Sequence, residues 1–151
     1  MWPQIPSGSD GTIRRQKLDA AGVPQYPAGG FAISGAPGEH PSFCDVVPAD
    51  NGGFVVQWLR DTTTFASLRH VRAQKFDASG AASWAVPVIV YDQSSLPIAH
   101  QPILQPDGAG GAILAWHRAL GSTFDVLVQH LDASGAELFA HNGVPVATSA
   151  G

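Results

Sequence analysis

The chain has 151 residues, of which only 13% are charged, and its net charge is −4. It is long enough to bury a sizeable core, but 17 glycines and 12 prolines exclude long helices and favour short strands joined by tight turns. The negative charge argues against a nucleic-acid partner, and no stretch is apolar over the ~18 residues of a membrane span. The one basic run, Arg14–Lys17, is interpreted as a solvated or neighbour-packed part of a strand.

Residues 1–38 contain a turn motif that the rest of the chain repeats. The sequence IRRQKLDAAG places Gln16 three residues before Asp19, and Gly22 closes the motif. An Asp at the first position of a turn can bond the turn's own backbone, and a fourth-place Gly relieves the exit. Tyr26 follows four residues after the glycine. We predict a hairpin between the third and fourth strands of a sheet whose earlier part is largely missing here.

Residues 39–97 have the pattern of a complete four-stranded sheet. Strands are predicted at SFCDVV, GFVVQW, HVRAQKF and VPVIVY. The same turn motif recurs here, with Gln74, Asp77 and Trp84 in the places of Gln16, Asp19 and Tyr26.

Residues 98–151 repeat this pattern, with strands predicted at PILQ, GAILAW, DVLVQHL and VPVAT. Gln129, Asp132 and Phe139 occupy the three marked places of the turn motif. GAILAW does not alternate between apolar and polar residues, so both faces of its sheet are predicted to be covered.

The recurring motif defines an internal repeat. Its glutamines are 58 and then 55 residues apart (74 − 16 and 129 − 74), which is typical of repeat architectures. Four-stranded antiparallel sheets that are covered on both faces and repeated predict an all-β fold of β-propeller blades. The chain would hold a partial blade at 1–38 and blades at 39–97 and 98–151. An incomplete ring of about two and a half blades leaves sheet surfaces open. We therefore expect other copies of the chain, or further parts of a longer chain, to cover them.

The stretch DGAGGAILAW, followed by QHLDASG, an aromatic residue and a later glycine, resembles a blade repeat of bacterial surface and secreted propeller proteins. The resemblance covers nearly the whole chain, although the second repeat has PADNGG in place of Asp-Gly and is shorter before its last strand. It implies a propeller fold and an extracellular or cell-surface location. Its motifs are turns and core aromatics, so it implies no particular activity. The first residues lack a secretory signal, and we expect the chain to be a mature or excised piece.

Few residues are candidates for catalysis or for metal binding. The three recurring aspartates are interpreted as turn formers, because acid–base catalysis needs two carboxylates in unequal environments at one cleft. The six histidines show no ligand spacing, so no metal or other cofactor is expected. Cys44 lies in an apolar run and is interpreted as an inert thiol. We therefore expect a protein that is not an enzyme.

The best ligand candidates are two pairs, Trp58 with Arg60 and Trp116 with Arg118. A tryptophan ring can stack on a sugar, and a nearby guanidinium can bond its hydroxyl or acid groups. In the alternative interpretation, both tryptophans belong to the core between blades and both arginines cap carbonyl groups. Two functions stay open: a lectin-like or adhesion module that binds a glycan or protein, and a structural repeat unit.

Overall fold

The computed structural model describes residues 2–4, 12–34, 39–61, 67–97 and 100–148. Over these ranges the protein is all-β, as predicted, with one short 3-10 turn at Asp50–Gly52. No helix in the described part of the chain is long and apolar enough to cross a membrane. The strands are β1 (Trp2–Gln4), β2 (Thr12–Arg15), β3 (Phe31–Ser34), β4 (His40–Pro48), β5 (Phe54–Asp61), β6 (His70–Phe76), β7 (Val88–Tyr91), β8 (Ile103–Pro106), β9 (Ala112–Leu120), β10 (Thr123–Leu131) and β11 (Val144–Ala147).

These strands form three antiparallel sheets with sequential neighbours paired. The first sheet has the order β1-β2-β3, the second β4-β5-β6-β7 and the third β8-β9-β10-β11. Within the described ranges the three sheets do not form a closed ring. The strands predicted for the second and third sheets are confirmed. β9 runs beyond the predicted GAILAW to Leu120, because its last residues pair with the start of β10.

The backbone register relates the sheets to one another. Trp2 pairs with Arg14, Trp58 with Arg72 and Trp116 with Leu127. β1, β5 and β9 are therefore equivalent strands, and the next two strands of each sheet follow in the same order.

A glutamine fixes the same hairpin in each sheet. Gln16 accepts hydrogen bonds from the amides of Lys17 and Tyr26, and its Nε2 donates to the Tyr26 carbonyl. Gln129 accepts from the amides of His130 and Phe139 and donates to the Phe139 and Ala140 carbonyls. Each side chain thus joins the end of one strand to the chain segment that carries the following aromatic residue.

Gln74 makes the corresponding contacts in the second sheet. It accepts a hydrogen bond from the Lys75 amide and donates to the Trp84 carbonyl.

The turn itself is held by its aspartate. Asp77 Oδ1 accepts hydrogen bonds from the amides of Ser79 and Ala81 and from the Ser79 hydroxyl, and Asp132 does the same with Ser134 and Ala136. The serine hydroxyl and the turn amides lower the pKa of both carboxyls. Asp19 makes the two amide contacts in the first sheet.

The second sheet is buried on both faces, as predicted. In β5, Val56 and Trp58 pack with Ile13 and Ile33 of the first sheet. Val55 and Leu59, which alternate with them, belong to a second core shared with the third sheet. The sheets therefore pack face to face in chain order.

Replacing Gln129 by Leu is expected to lower the free energy of unfolding by about 2 kcal/mol, because buried backbone groups lose their partner. Gln129 is fully buried, whereas Gln16 is only half-buried and water can replace its side chain. Gln16→Leu is therefore the matched control and should cost less. Urea unfolding of both variants tests this, and equal losses would contradict it.

Candidate functional site

The contact between the first and second sheets places an aromatic ring against a turn. A Cβ built at Gly80 would lie 2.8 Å from the Phe31 ring and 3.4 Å from the Tyr26 ring. The Tyr26 hydroxyl donates to the Ala78 carbonyl at 3.4 Å, and Arg15 Nη2 donates to the Gly80 carbonyl at 2.5 Å. The hairpin of one sheet is thus seated on the Asp–Gly turn of the next.

The second and third sheets meet in the same way. A Cβ built at Gly135 would lie 2.8 Å from the Trp84 ring, and Trp84 Nε1 donates to the Ala133 carbonyl at 3.1 Å. Lys75 Nζ donates to that carbonyl as well, at 3.3 Å. We call this arrangement the ring-on-turn contact: Tyr26 on the Asp77–Gly80 turn, and Trp84 on the Asp132–Gly135 turn. Both rings donate to a turn carbonyl, but at Gly80 the ring nearest the glycine is Phe31 rather than Tyr26.

The third sheet carries the ring half of this contact on an exposed face. Phe139, the equivalent of Trp84, is 42% exposed, whereas Trp84 is 5% exposed. Val146 is 61% exposed, although its equivalent Val90 is fully buried against the third sheet. Ile113 is exposed at the place of the buried Val55. The prediction that both faces are covered therefore does not hold for this sheet. We call the surface of Ile113, Phe139 and Val146 the ring face.

The first sheet carries the turn half. Its turn at Asp19–Gly22 has the same positive φ at glycine, +80° against +89° at Gly80. A Cβ built at Gly22 meets nothing within 4 Å. Leu18 is 57% exposed, while its equivalents Phe76 and Leu131 are buried between sheets. We call Leu18 with this turn the turn face.

The tryptophans and arginines predicted to bind a ligand do not form one surface. Trp58 and Trp116 are buried in the two separate cores between sheets, and the Trp116 ring lies 5.4 Å from the Tyr91 ring. Neither ring is accessible for stacking on a sugar. The alternative interpretation placed both tryptophans in the core, which is where the structure has them.

Within the described ranges, the two arginines pair with carboxylates rather than with carbonyl groups. Arg60 Nε lies 2.5 Å from Glu39 Oε1, and Arg118 Nη2 lies 2.6 Å from Asp125 Oδ2. Their guanidinium groups are therefore engaged within the chain.

A cleft of about 250 Å³ opens between the first and second sheets. It is lined by two cations, Arg15 and Lys17, by two aromatic rings, Tyr26 and Phe54, and by the backbone of Gly52–Gly53. Arg15 is buried, and its guanidinium lies 3.6 Å from the centre of the Phe76 ring. Its Nε and Nη1 have no hydrogen-bond partner among the described residues.

Sequence reasoning missed this cleft. Arg15 directly precedes the motif's glutamine, and the second and third repeats have Ala73 and Val128 at the place of Arg15. A cation at a place that is apolar in the other two repeats was the sequence feature that could have indicated the cleft.

A cluster of His100, His117 and Phe124 was also missed, with the centres of the two imidazole rings 4.6 Å apart. The described residues contain no group of three or more potential metal ligands.

Comparison with family models, with curated proteins and with solved structures finds no match to this chain.

Replacing Gly135 by Ala tests the ring-on-turn contact. The added methyl group would meet the Trp84 ring, and the alanine backbone would have to adopt a positive φ. We therefore expect a loss of about 2–4 kcal/mol in the free energy of unfolding. Gly22→Ala is the matched control, because Gly22 has the same φ and open space around it. It should lose only about 1–2 kcal/mol. Equal losses in chemical denaturation would show that the ring does not press on the turn.

The ion pairs of His141 predict a pH effect. Burial lowers the pKa of His141, but Glu137 and Asp92, at 3.0 and 3.3 Å, outweigh it and raise the pKa above its usual value. The stabilisation is therefore complete below the unfolded-state pKa of about 6.5 and is lost as pH rises through the higher folded-state pKa.

The melting temperatures of the wild type and His141→Gln should therefore differ most near pH 5.5 and converge in the alkaline range. A difference that stays constant from pH 5.5 to pH 9 would contradict the assignment.

Proposed function

We propose that this chain is a non-enzymatic β-propeller repeat module, each sheet being a blade, and that its function is to assemble with further blades. Other copies of the chain, or other parts of a longer chain, would supply them. The observation that supports this proposal is the ring-on-turn contact, which occurs twice inside the chain and whose two halves are exposed at opposite ends.

The chemistry of the exposed residues supports the same function. The ring face presents apolar side chains at places that are buried in the second sheet. The turn face offers an open glycine where a ring can approach the backbone. Exposed apolar patches of this kind are typical of protein interaction sites. The three recurring aspartates accept hydrogen bonds from their own turns, which gives them a structural task.

The two faces are different surfaces of one chain, so the association we propose is head-to-tail. Such contacts generate rings when the rotation closes and filaments when it does not. The resemblance of the repeat to bacterial surface and secreted propellers supports an extracellular or cell-surface location for the assembly.

A second candidate function is binding of a glycan or protein ligand, as an adhesion module. The cleft between the first and second sheets favours it, because the cleft combines cations with aromatic rings. The residues that line it differ from the four predicted from the tryptophan–arginine pairs.

Sedimentation of the full chain over a range of concentrations tests the assembly function. We expect concentration-dependent association that Phe139→Ser and Leu18→Ser each reduce at least about tenfold, because each removes one exposed apolar side chain from the contact. Both residues are exposed, so neither change disturbs a core.

Mixing the two variants provides the matched control. The Phe139→Ser chain keeps its turn face and the Leu18→Ser chain keeps its ring face, so the mixture should form 1:1 dimers and nothing larger. A wild-type chain that stays monomeric at high concentration would overturn assembly from copies of this chain. Variants that associate like the wild type would overturn the role of the ring face and the turn face.

A further inference from the structure

In the second and third repeats, the residue after the motif's glutamine pairs with an acid. Lys75 Nζ lies 2.6 Å from Asp50 Oδ1, and His130 Nε2 lies 3.0 Å from Asp107 Oδ2. Both acids belong to the turn that precedes the second strand of the same sheet, β5 or β9. The pairing thus recurs although the cation changes from lysine to histidine.

A glycine of the following sheet completes the arrangement around Asp50. A Cβ built at Gly110 would lie 2.7 Å from the Asp50 carboxylate carbon. The carboxylate, 43% exposed, therefore lies between Lys75 of its own sheet and the backbone of Gly110 in the third sheet.

The first repeat offers a lysine and a glycine at the corresponding places to a carboxylate. Lys17 stands in the place of Lys75, and Gly52 of the second sheet stands in the place of Gly110. Both residues line the 250 Å³ cleft. No carboxylate pairs with Lys17 in the part of the chain that the structure describes.

Arg15 adds a second cation to this cleft. It is the last residue of β2, two residues before Lys17, and both side chains line the cleft. Its Nη2 donates to the Gly80 carbonyl, while Nε and Nη1 are buried without a partner among the described residues. Burial lowers the pKa of the guanidinium, and an adjacent anion would offset that cost.

We infer that the cleft between the first and second sheets is a carboxylate-binding site in which Lys17 and Arg15 hold the anion against the backbone of Gly52–Gly53. The rings of Tyr26 and Phe54 would contact the apolar part of the ligand. The contact of Asp50 with Lys75 and Gly110 favours an acidic tight turn of the same kind as the source of the carboxylate. A free organic acid, such as a sugar acid, presents the same group.

Two probes distinguish these sources. One is the capped peptide Pro-Ala-Asp-Asn-Gly-Gly, which has the sequence of residues 48–53, with its Asp→Asn form as control. The other is glucuronate, with glucose as its uncharged control. Each is titrated against the full chain carrying Phe139→Ser, while the amide resonances of Gly52 and Gly53 are recorded by NMR. In that background the chains do not associate through the ring face, so the shifts report binding in the cleft alone. A failure of the assembly function would therefore leave this test unaffected.

We expect saturable shifts with the acidic peptide, and a loss of affinity of about fivefold or more in Lys17→Gln. Arg14→Gln is the matched control, since it removes one charge from the same strand and Arg14 does not line the cleft. It should leave the affinity nearly unchanged. Binding of glucuronate alone would also support the site and would identify a free acid as its ligand.

The inference is overturned if neither acid binds, or if the asparagine peptide and glucose bind as well as the acids do. Equal weakening by Lys17→Gln and Arg14→Gln would also overturn it, because the attraction would then come from overall charge.

Discussion

The close approach of an aromatic ring to a glycine of positive φ holds each sheet against the next. At Gly135 this ring is Trp84, and at Gly80 it is Phe31 of β3, with the Tyr26 ring at ordinary contact distance; neither turn has room for a side chain at its glycine. The motif's glutamine fixes the segment that carries the ring, and its aspartate fixes the turn that receives the ring of the preceding sheet. Where Trp84 meets Gly135, these four residue types therefore act together. Only the second sheet both gives and receives the contact. The first sheet leaves its turn open and the third leaves Phe139 exposed, so both ends offer half of a contact.

The charged residues between the sheets need partners because burying an unpaired charge is costly. Only 20 of the chain's 151 residues are formally charged (8 + 12). Lys75 faces the third sheet and is matched by Asp50, while Arg15 faces the second sheet and lies on an aromatic ring. A ring attracts a cation through its quadrupole but gives the N–H groups no acceptor. This difference makes the first cleft chemically distinct from the contact that follows it.

Much of the fold could be predicted because the sequence repeats its turn chemistry. Three glutamines, three aspartates and three aromatic residues recur at one spacing, and in the structure each set makes corresponding contacts. The tryptophan–arginine pairs show the limit of this reasoning. The spacing of Trp116 and Arg118 could not reveal that the ring is buried under the second sheet or that Asp125 lies beside the guanidinium. The exposure of Phe139 could not be predicted either, because its sequence context is the same as that of the buried Trp84.

A double-mutant cycle between Trp84 and Gly135 measures the central contact most directly. Trp84→Leu, Gly135→Ala and the double variant are unfolded in urea alongside the wild type. If the ring presses on the glycine, Gly135→Ala should cost much less once the ring is gone, with a coupling energy of at least about 1 kcal/mol. Strictly additive losses would contradict the idea that the ring-on-turn contact joins one sheet to the next.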